Sequence, residues 1–463
     1  MPEVSDVNRA LRQAAGLPEL QDPTEPNLLR DMFPYHAVPR VAFDGQIEPL
    51  DPAPHFFITD TTFRDGQQAR PPYTAAQIVE LYRMLHRLGG KRGVIRQSEF
   101  FLYSQLDREA VRRCQELGCE FPEITGWIRA VGADLRLVRE MGLKETGILT
   151  SCSDYHIFHK LKKTRRQAMD GYLEIVQAAL DAGLRIRCHL EDITRADIGG
   201  FVIPFVARLM ELSAASAIPV KIRLCDTLGF GVPFSGAALP RGVPRLVATL
   251  RRECGVPSDC LEWHGHNDFH KVLANATAAW LYGCTYANGT LLGLGERTGN
   301  PPLEGLVVDY VSLTGDDTGV DLSVITEIAA YFEREIGYRV APNYPFVGRD
   351  FNLTRAGIHA DGLMKDEEIY NIFDTRALLR RPPRVAVDKT SGSAGIAWWI
   401  NAYFGLPPQA QVDKRSAQVA QLVQWVDCQY AGGRTTSISD EEMADAVRIY
   451  LPELFQRHAA QRA

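Results

Sequence analysis

Three short stretches of the chain gather the residue types that bind metals and polarise carbonyl groups. The first, Asp60-Thr61-Thr62-Phe63-Arg64-Asp65-Gly66-Gln67-Gln68, sets a carboxylate beside an arginine directly after an apolar run. Asp and Gly behind a strand also make ordinary turns, so this stretch alone decides nothing. The second, His264-Gly265-His266-Asn267-Asp268, carries two histidines two residues apart. On a strand such residues face the same side, so the imidazoles converge as a divalent metal requires. One buried, hydrogen-bonded histidine would satisfy the same pattern. The third, Gly293-Leu294-Gly295-Glu296-Arg297-Thr298-Gly299-Asn300, reads as a tight loop, and its glycine spacing is not the dinucleotide fingerprint.

These stretches need a scaffold that brings them together. From Phe56, short β-branched or aromatic runs alternate with amphipathic ones. The periodicity predicts strands at 56–60, 94–99, 120–125, 145–150, 184–190, 219–226, 260–266 and 284–290. It predicts helices between them, including Ala75–Leu88 and Arg166–Ala182, with Thr74 and Thr164 as N-caps and Gly118 and Gly183 as stops. An open doubly wound sheet shows the same alternation. The number of units, and the polar clusters at the C-terminal ends of strands, favour an α/β fold of the (β/α)8 TIM-barrel kind. The expected organisation is an N-terminal arm (1–53), the barrel (54–338), a small subdomain (339–402) and a helical C-terminal segment (403–463). In a closed barrel strand eight neighbours strand one, so Asp65, His264, His266 and Asn300 would rise from adjoining strands. One carboxylate, two imidazoles and an amide oxygen suit Mn²⁺, Mg²⁺, Co²⁺ or Zn²⁺.

Composition narrows the class. The 463 residues are 45% hydrophobic and 23% charged, the balance of a globular enzyme and not of a disordered chain or fibre. Lys plus Arg is 51 and Asp plus Glu 57, a net charge of −6, which argues against a nucleic-acid partner. No run of apolar residues suggests a membrane span, and Met1 to Leu20 shows no secretory h-region. Nine cysteines without a CxxC pair read as reduced thiols of a cytoplasmic protein.

Taken together, the motifs TTFRDGQQ (61–68), CDTLG (225–229), HGHND (264–268), GERTGN (295–300) and AGIH (356–359) resemble the family of homocitrate synthase, 2-isopropylmalate synthase and Re-face citrate synthase. The match runs over about residues 55–400. The resemblance implies a metal-dependent barrel that joins acetyl-CoA to a 2-oxo acid, with Mn²⁺, Co²⁺ or Mg²⁺ on Asp65, His264 and His266 and Asn300 nearby or ligating. It implies Arg64 and Gln68 at the carboxylate and carbonyl of the 2-oxo acid, Thr227 on its carboxylate, and Glu191 beside the reacting centre. It implies that His359 and Tyr370 reach a neighbouring subunit's barrel, making a domain-swapped homodimer. The proton-abstracting base is left open among His359, Tyr370 and Glu191.

Substrate choice is read from the fifth strand, Arg187-Cys188-His189-Leu190-Glu191, where residues 187, 189 and 191 share a face. In homocitrate synthases the similar strand presents an arginine and a small polar residue to a far carboxylate, so Arg187 implies an acidic 2-oxo acid. A structural ion pair with Glu191 or Asp192 is the competing reading. His189 in place of the small residue, Trp127 where homocitrate synthases have His, and the bulky QSEFFLYS stretch with Glu99 as its functional carboxylate imply a shorter pocket. That fits oxaloacetate or its phosphinate analogue better than 2-oxoglutarate, and resembles Re-face citrate synthases and 2-phosphinomethylmalate synthases. The basic run from Lys160 to Arg166 either meets coenzyme A phosphates or forms a solvated helix face. Three alternatives stand beside this reading. Homocitrate or isopropylmalate synthesis is one. A hydroxymethylglutaryl-CoA-type lyase, which would want a cysteine in the glycine loop, is the second. A non-catalytic metabolite-binding relative is the third.

Overall fold

The strand beginning at Arg185 shows how this sequence builds its scaffold. In Arg185-Ile186-Arg187-Cys188-His189-Leu190-Glu191 every second residue is apolar, and Ile186, Cys188 and Leu190 are fully buried. Alternation sends these outward beneath helices and the polar set inward. In the computed structural model, which describes residues 18–456, this is one of eight parallel strands closed into a barrel in sequence order. They are β1 (Phe57–Asp60), β2 (Ile95–Phe100), β3 (Glu123–Arg129), β4 (Glu145–Ser151), β5 (Arg185–Glu191), β6 (Val220–Asp226), β7 (Leu261–Gly265) and β8 (Tyr286–Gly289). β8 pairs back onto β1, with Asn288 opposite Thr59. The (β/α)8 TIM-barrel expectation holds, and an open sheet is excluded.

Helices α1 (Asp65–Gln68) and α2 (Ala75–Gly89) follow β1. Then come α3 (Gln105–Gln115), α4 (Gly132–Glu140), α5 (Arg165–Asp181), α6 (Ile203–Ser216), α7 (Val243–Cys254), α8 (Val272–Leu281) and α9 (Leu303–Thr314), one after each later strand. Thr74 and Thr164 close capping boxes with Gln77 and Gln167, as their positions predict. β3 starts at Glu123 and not at 120, because Pro122 has no N–H to give the ladder. The segment Ile198–Ser216 is long and apolar enough by composition to cross a membrane. Here it packs on the barrel, with Ile203, Phe205, Val206 and Leu209 buried.

The bore of the barrel is charged where bulky aliphatic layers are usual. Glu99, Glu145 and Glu262 are buried with Arg187 and Arg223, and Lys221 reaches in from below. Glu99 meets Arg187 at 2.6 Å and Arg223 at 3.0 Å, Glu262 meets Arg223 at 2.8 Å, and Glu145 meets Lys221 at 3.0 Å. Three acids therefore face three bases, which is what lets such groups leave water.

Residues 18–53 run as an arm without helix or strand, apart from a bridge between Phe43 and Ala237. Gln21 N–H donates to Gly200 O, and Arg241 donates to Pro39 O and Arg40 O. The start of the expected arm, residues 1–17, lies outside the described residues, as do 457–463.

The described chain divides into two compact units between Asp321 and Leu322. The sequence reading drew that line later, after 338; α10 (Ser323–Arg334) instead belongs with the second unit, where Thr326 donates to Leu379 O. The second unit continues with β9 (Leu353–Thr354), α11 (Gly357–Lys365), α12 (Thr375–Leu379), β10 (Arg384–Val385), α13 (Gly392–Tyr403), α14 (Ala417–Ala431) and α15 (Asp440–Tyr450). Ile396, Ile400, Leu422, Val426, Met443 and Val447 form one core across α13, α14 and α15. That core has members on both sides of the expected 402/403 line, while a smaller cluster of Ala360, Leu363, Val385 and Ala394 lies wholly before it.

Candidate active site

Barrel closure sets β7, β8 and β1 side by side, and their C-terminal ends carry the three chemistry-bearing stretches. His264 is on β7, His266 is just beyond it, and Asp65 opens α1 after β1. Ligand atoms of Asp65, His264 and His266 lie within 4.8 Å of one another, and all three residues are buried. Asp65 Oδ2 is 3.6 Å from His264 Nε2 and 3.4 Å from His266 Nε2.

The protons on these rings are fixed by their far sides. Asn288 uses its Nδ2 to donate to Thr59, so its Oδ1, 2.8 Å from His264 Nδ1, must accept. His266 Nδ1 faces Glu296 O at 3.3 Å, which also can only accept. Both Nε2 atoms therefore present lone pairs toward a carboxylate oxygen. Asp65 Oδ2 and Asn300 Oδ1 are buried without a hydrogen-bond partner among the described residues. Burial opposes charge on Asp65, but the Arg64 guanidinium beside it helps to hold the carboxyl below its usual range. Burial, with Arg64 and Arg223 nearby, keeps His264 neutral. Acceptors converging with no proton between them fit a cation, and the donor set of carboxylate, two imidazoles and an amide oxygen fits a divalent metal. Gly295 makes room for Asn300, since a Cβ there would stand 1.9 Å from Asn300 Nδ2.

A cavity of about 260 Å³ opens on these groups. Arg64, Asp65, Gln68, Trp127, Lys160, His189, Glu191, Thr227, His264, His266 and Arg297 are among its lining. Arg64 spends Nε on Glu99 at 3.0 Å, and among the described residues its terminal nitrogens make no protein hydrogen bond. Thr227 Oγ1 accepts from Asp192 N–H. Glu191 is bound by Ser151, by His156 at 3.0 Å and by Lys160 at 3.1 Å. Burial would raise its pKa, yet His156, Lys160 and Ser151 bring it down to about 2.

Two expected substrate contacts do not line the cavity. Arg187 is fully buried, with its guanidinium spent on Glu99, Glu145, Glu262 and Gln97. Its ion pairs are made with these partners and not with Glu191 or Asp192. Glu99 lies at the same depth, bound by Arg64, Arg187 and Arg223. His189 lines the cavity above both, with its pKa lowered to about 3 by burial and by Arg223. His359 and Tyr370 belong to the second unit. There the structure brings them together, ring centroids 4.4 Å apart, with His359 Nδ1 3.2 Å from Thr354 Oγ1.

Sequence reading missed Asn288, which holds His264, and the Lys160–His156–Glu191 cluster. Asn288 had a signal, as the one carboxamide in the strand expected at 284–290.

The family model described as HMGL-like matches residues 55–331. This chain belongs to that family. It is 61% identical over 94% of its length, and over 70% of the relative's, to a "Citrate (Re)-synthase" of Syntrophus aciditrophicus. To a "Citrate (Re)-synthase" of Clostridium kluyveri it is 53% identical over 95% of its length and 97% of the relative's. A "2-phosphinomethylmalate synthase" of Streptomyces hygroscopicus is more distant, at 38% over 92% of this chain and 97% of that one. The resemblance drawn from the motifs is thereby upheld, and membership of this synthase group makes the chain an enzyme.

Proposed function

We propose that this HMGL-like enzyme condenses acetyl-CoA with an acidic 2-oxo acid, oxaloacetate or its phosphinate analogue, and then hydrolyses the thioester to release citrate or 2-phosphinomethylmalate. The observation that carries this reading is the near-full-length identity to two proteins named Citrate (Re)-synthase. The lower identity to the 2-phosphinomethylmalate synthase favours oxaloacetate of the two.

Asp65, His264 and His266 would hold a divalent cation, Mn²⁺, Co²⁺ or Mg²⁺, with Asn300 Oδ1 as a further donor. When bound, it polarises the carbonyl that is attacked. Thr227 and Gln68 bind the adjacent carboxylate. Arg64, braced by Glu99, donates to the carbonyl oxygen as it gains charge, which lowers the barrier most where water is excluded. The acetyl methyl must first lose a proton to a positioned base. Glu191 has its charge taken up by Ser151, His156 and Lys160, which leaves it a poor base for that step. We assign it to His359, with Tyr370 as donor to the thioester oxygen. The carbanion carbon bonds to the keto carbon, Arg64 stabilises the alkoxide, and water then displaces CoA as the free thiol.

His359 and Tyr370 would serve the barrel of a second subunit in a cytoplasmic homodimer. Exposed Ile358, Ile369 and Ile372 around the pair support that, because apolar groups so placed seek cover.

The test mixes the protein with acetyl-CoA, Mn²⁺ and a panel of 2-oxo acids, follows free thiol and identifies the product. Thiol release with oxaloacetate and citrate formation are expected. No thiol from any 2-oxo acid rejects the reading; preference for 2-oxoglutarate or a branched 2-oxo acid moves the enzyme to the homocitrate or isopropylmalate type.

A further inference from the structure

Two cations of the cavity, Lys160 and Arg297, have no task in the reaction just described. Lys160 ends a π-helical turn, Tyr155–Lys160, that follows β4. It lines the cavity with about half of its side chain accessible. The turn is pinned on its other side. Asp154 accepts from Asn27 N–H of the arm at 2.6 Å and binds Arg165 at 2.8 Å, while Tyr155 donates to Leu28 O at 2.9 Å.

The barrel's geometry says what Lys160 faces. In a closed ring of eight strands, β1 stands opposite β5, with β4 beside it. The candidate metal ligands and Arg64 come from the β7–β8–β1 side. A 2-oxo acid held there by its carboxylate and keto oxygen extends its far end either down the bore or across the mouth. The way down is shut. His189 covers Arg187, with Nε2 3.5 Å from Arg187 Nε and 3.3 Å from Glu99 Oε2. It fits because position 147 is glycine; a Cβ there would stand 2.4 Å from His189 Nε2. Across the mouth lies Lys160. The remaining cavity cation, Arg297, follows β8 on the side of the candidate metal ligands, not across the mouth from them, and is held by both oxygens of Asp268 and by Thr227 O. Glu191 holds the Lys160 ammonium at 3.1 Å through each oxygen, and Ser151 and His156 share the Glu191 charge.

We propose that Lys160 binds the far anionic group of the 2-oxo acid and so selects a substrate with a second acid, in the place first expected of Arg187. This rests on the proposed condensation and narrows its substrate class. The test compares Lys160→Met and Lys160→Arg with the unmodified protein. Binding of fresh oxaloacetate and of pyruvate is titrated with Mn²⁺ present, and steady-state constants are taken for both acids and acetyl-CoA. Lys160→Met should weaken oxaloacetate about 10- to 100-fold, as loss of a charge-assisted hydrogen bond does. Pyruvate binding and the KM for acetyl-CoA should hold, and Lys160→Arg should restore most of the loss. Equal weakening of both acids, no weakening of either, or a rise confined to the acetyl-CoA KM overturns the inference. A lysine-dependent preference for oxaloacetate in a protein that releases no thiol would uphold the site and reject the condensation.

Discussion

Asp65 Oδ2 is the atom on which the site turns, because two imidazole lone pairs face it and nothing donates to it. Replacing Asp65 or His264 by Ala takes one donor from a small set. Thiol release should stop and bound metal, measured by elemental analysis after dialysis, should fall well below one per chain; unchanged metal content would place the cation elsewhere. Asn288 tests the same idea one step out. It fixes the His264 ring through Nδ1, so Asn288→Ala should cost about 10- to 100-fold in metal affinity, read by titration, with the ligands intact. Arg187 makes a contrasting case. With acids on every side, Arg187→Leu leaves Glu99, Glu145 and Glu262 short of a partner. It should lower stability by about 3–5 kcal/mol in chemical unfolding. The ranking of 2-oxo acids should stay as it was; a shift toward apolar ones would return Arg187 to the substrate.

At the scale of elements, strand periodicity made the site readable and also set its limit. Alternation fixes which side a residue faces, so His264 and His266, and the inward set Arg187, His189 and Glu191, could be read from spacing. It does not fix depth along the bore, so Arg187 and Glu99 could not be told from cavity residues. Local geometry hid Lys160, because the basic run looks like the start of one helix. In fact Lys160 ends a separate turn, and α5 begins at Arg165. Likewise, nothing in the spacing marks Glu304 in the first turn of α9. Burial raises its pKa from 4.5 to about 7, with Oε2 accepting from Leu292 N–H. An acid raised in this way binds its proton more tightly folded than unfolded. Its contribution is full below the unfolded value and is lost as pH rises toward about 7. Glu304→Gln keeps the acceptor and removes the titration. The variant should therefore gain on the order of 3 kcal/mol over the parent between pH about 4.5 and about 7.5. Urea midpoints of both proteins across that range decide it, and a constant gap would show that Glu304 does not titrate there.

At the scale of the molecule, the proposed reaction draws on groups of both compact units, the candidate metal ligands of the first and the His359–Tyr370 pair of the second. Whether the pair serves its own barrel or a partner's gives different arithmetic when two dead variants are combined. Asp65→Ala and His359→Ala should each be inactive alone. If the second unit serves the partner, a mixed dimer holds one site with both lesions and one site with neither. Random pairing makes half of the dimers mixed, so co-expression should restore about a quarter of the parent activity. If each chain serves itself, every site keeps one lesion and nothing returns. Light scattering on the co-expressed sample establishes the dimer independently. Activity near a quarter then ties the exposed Ile358, Ile369 and Ile372 to the surface where the partner's barrel sits, whereas inactivity in a proven dimer would assign the pair to its own chain.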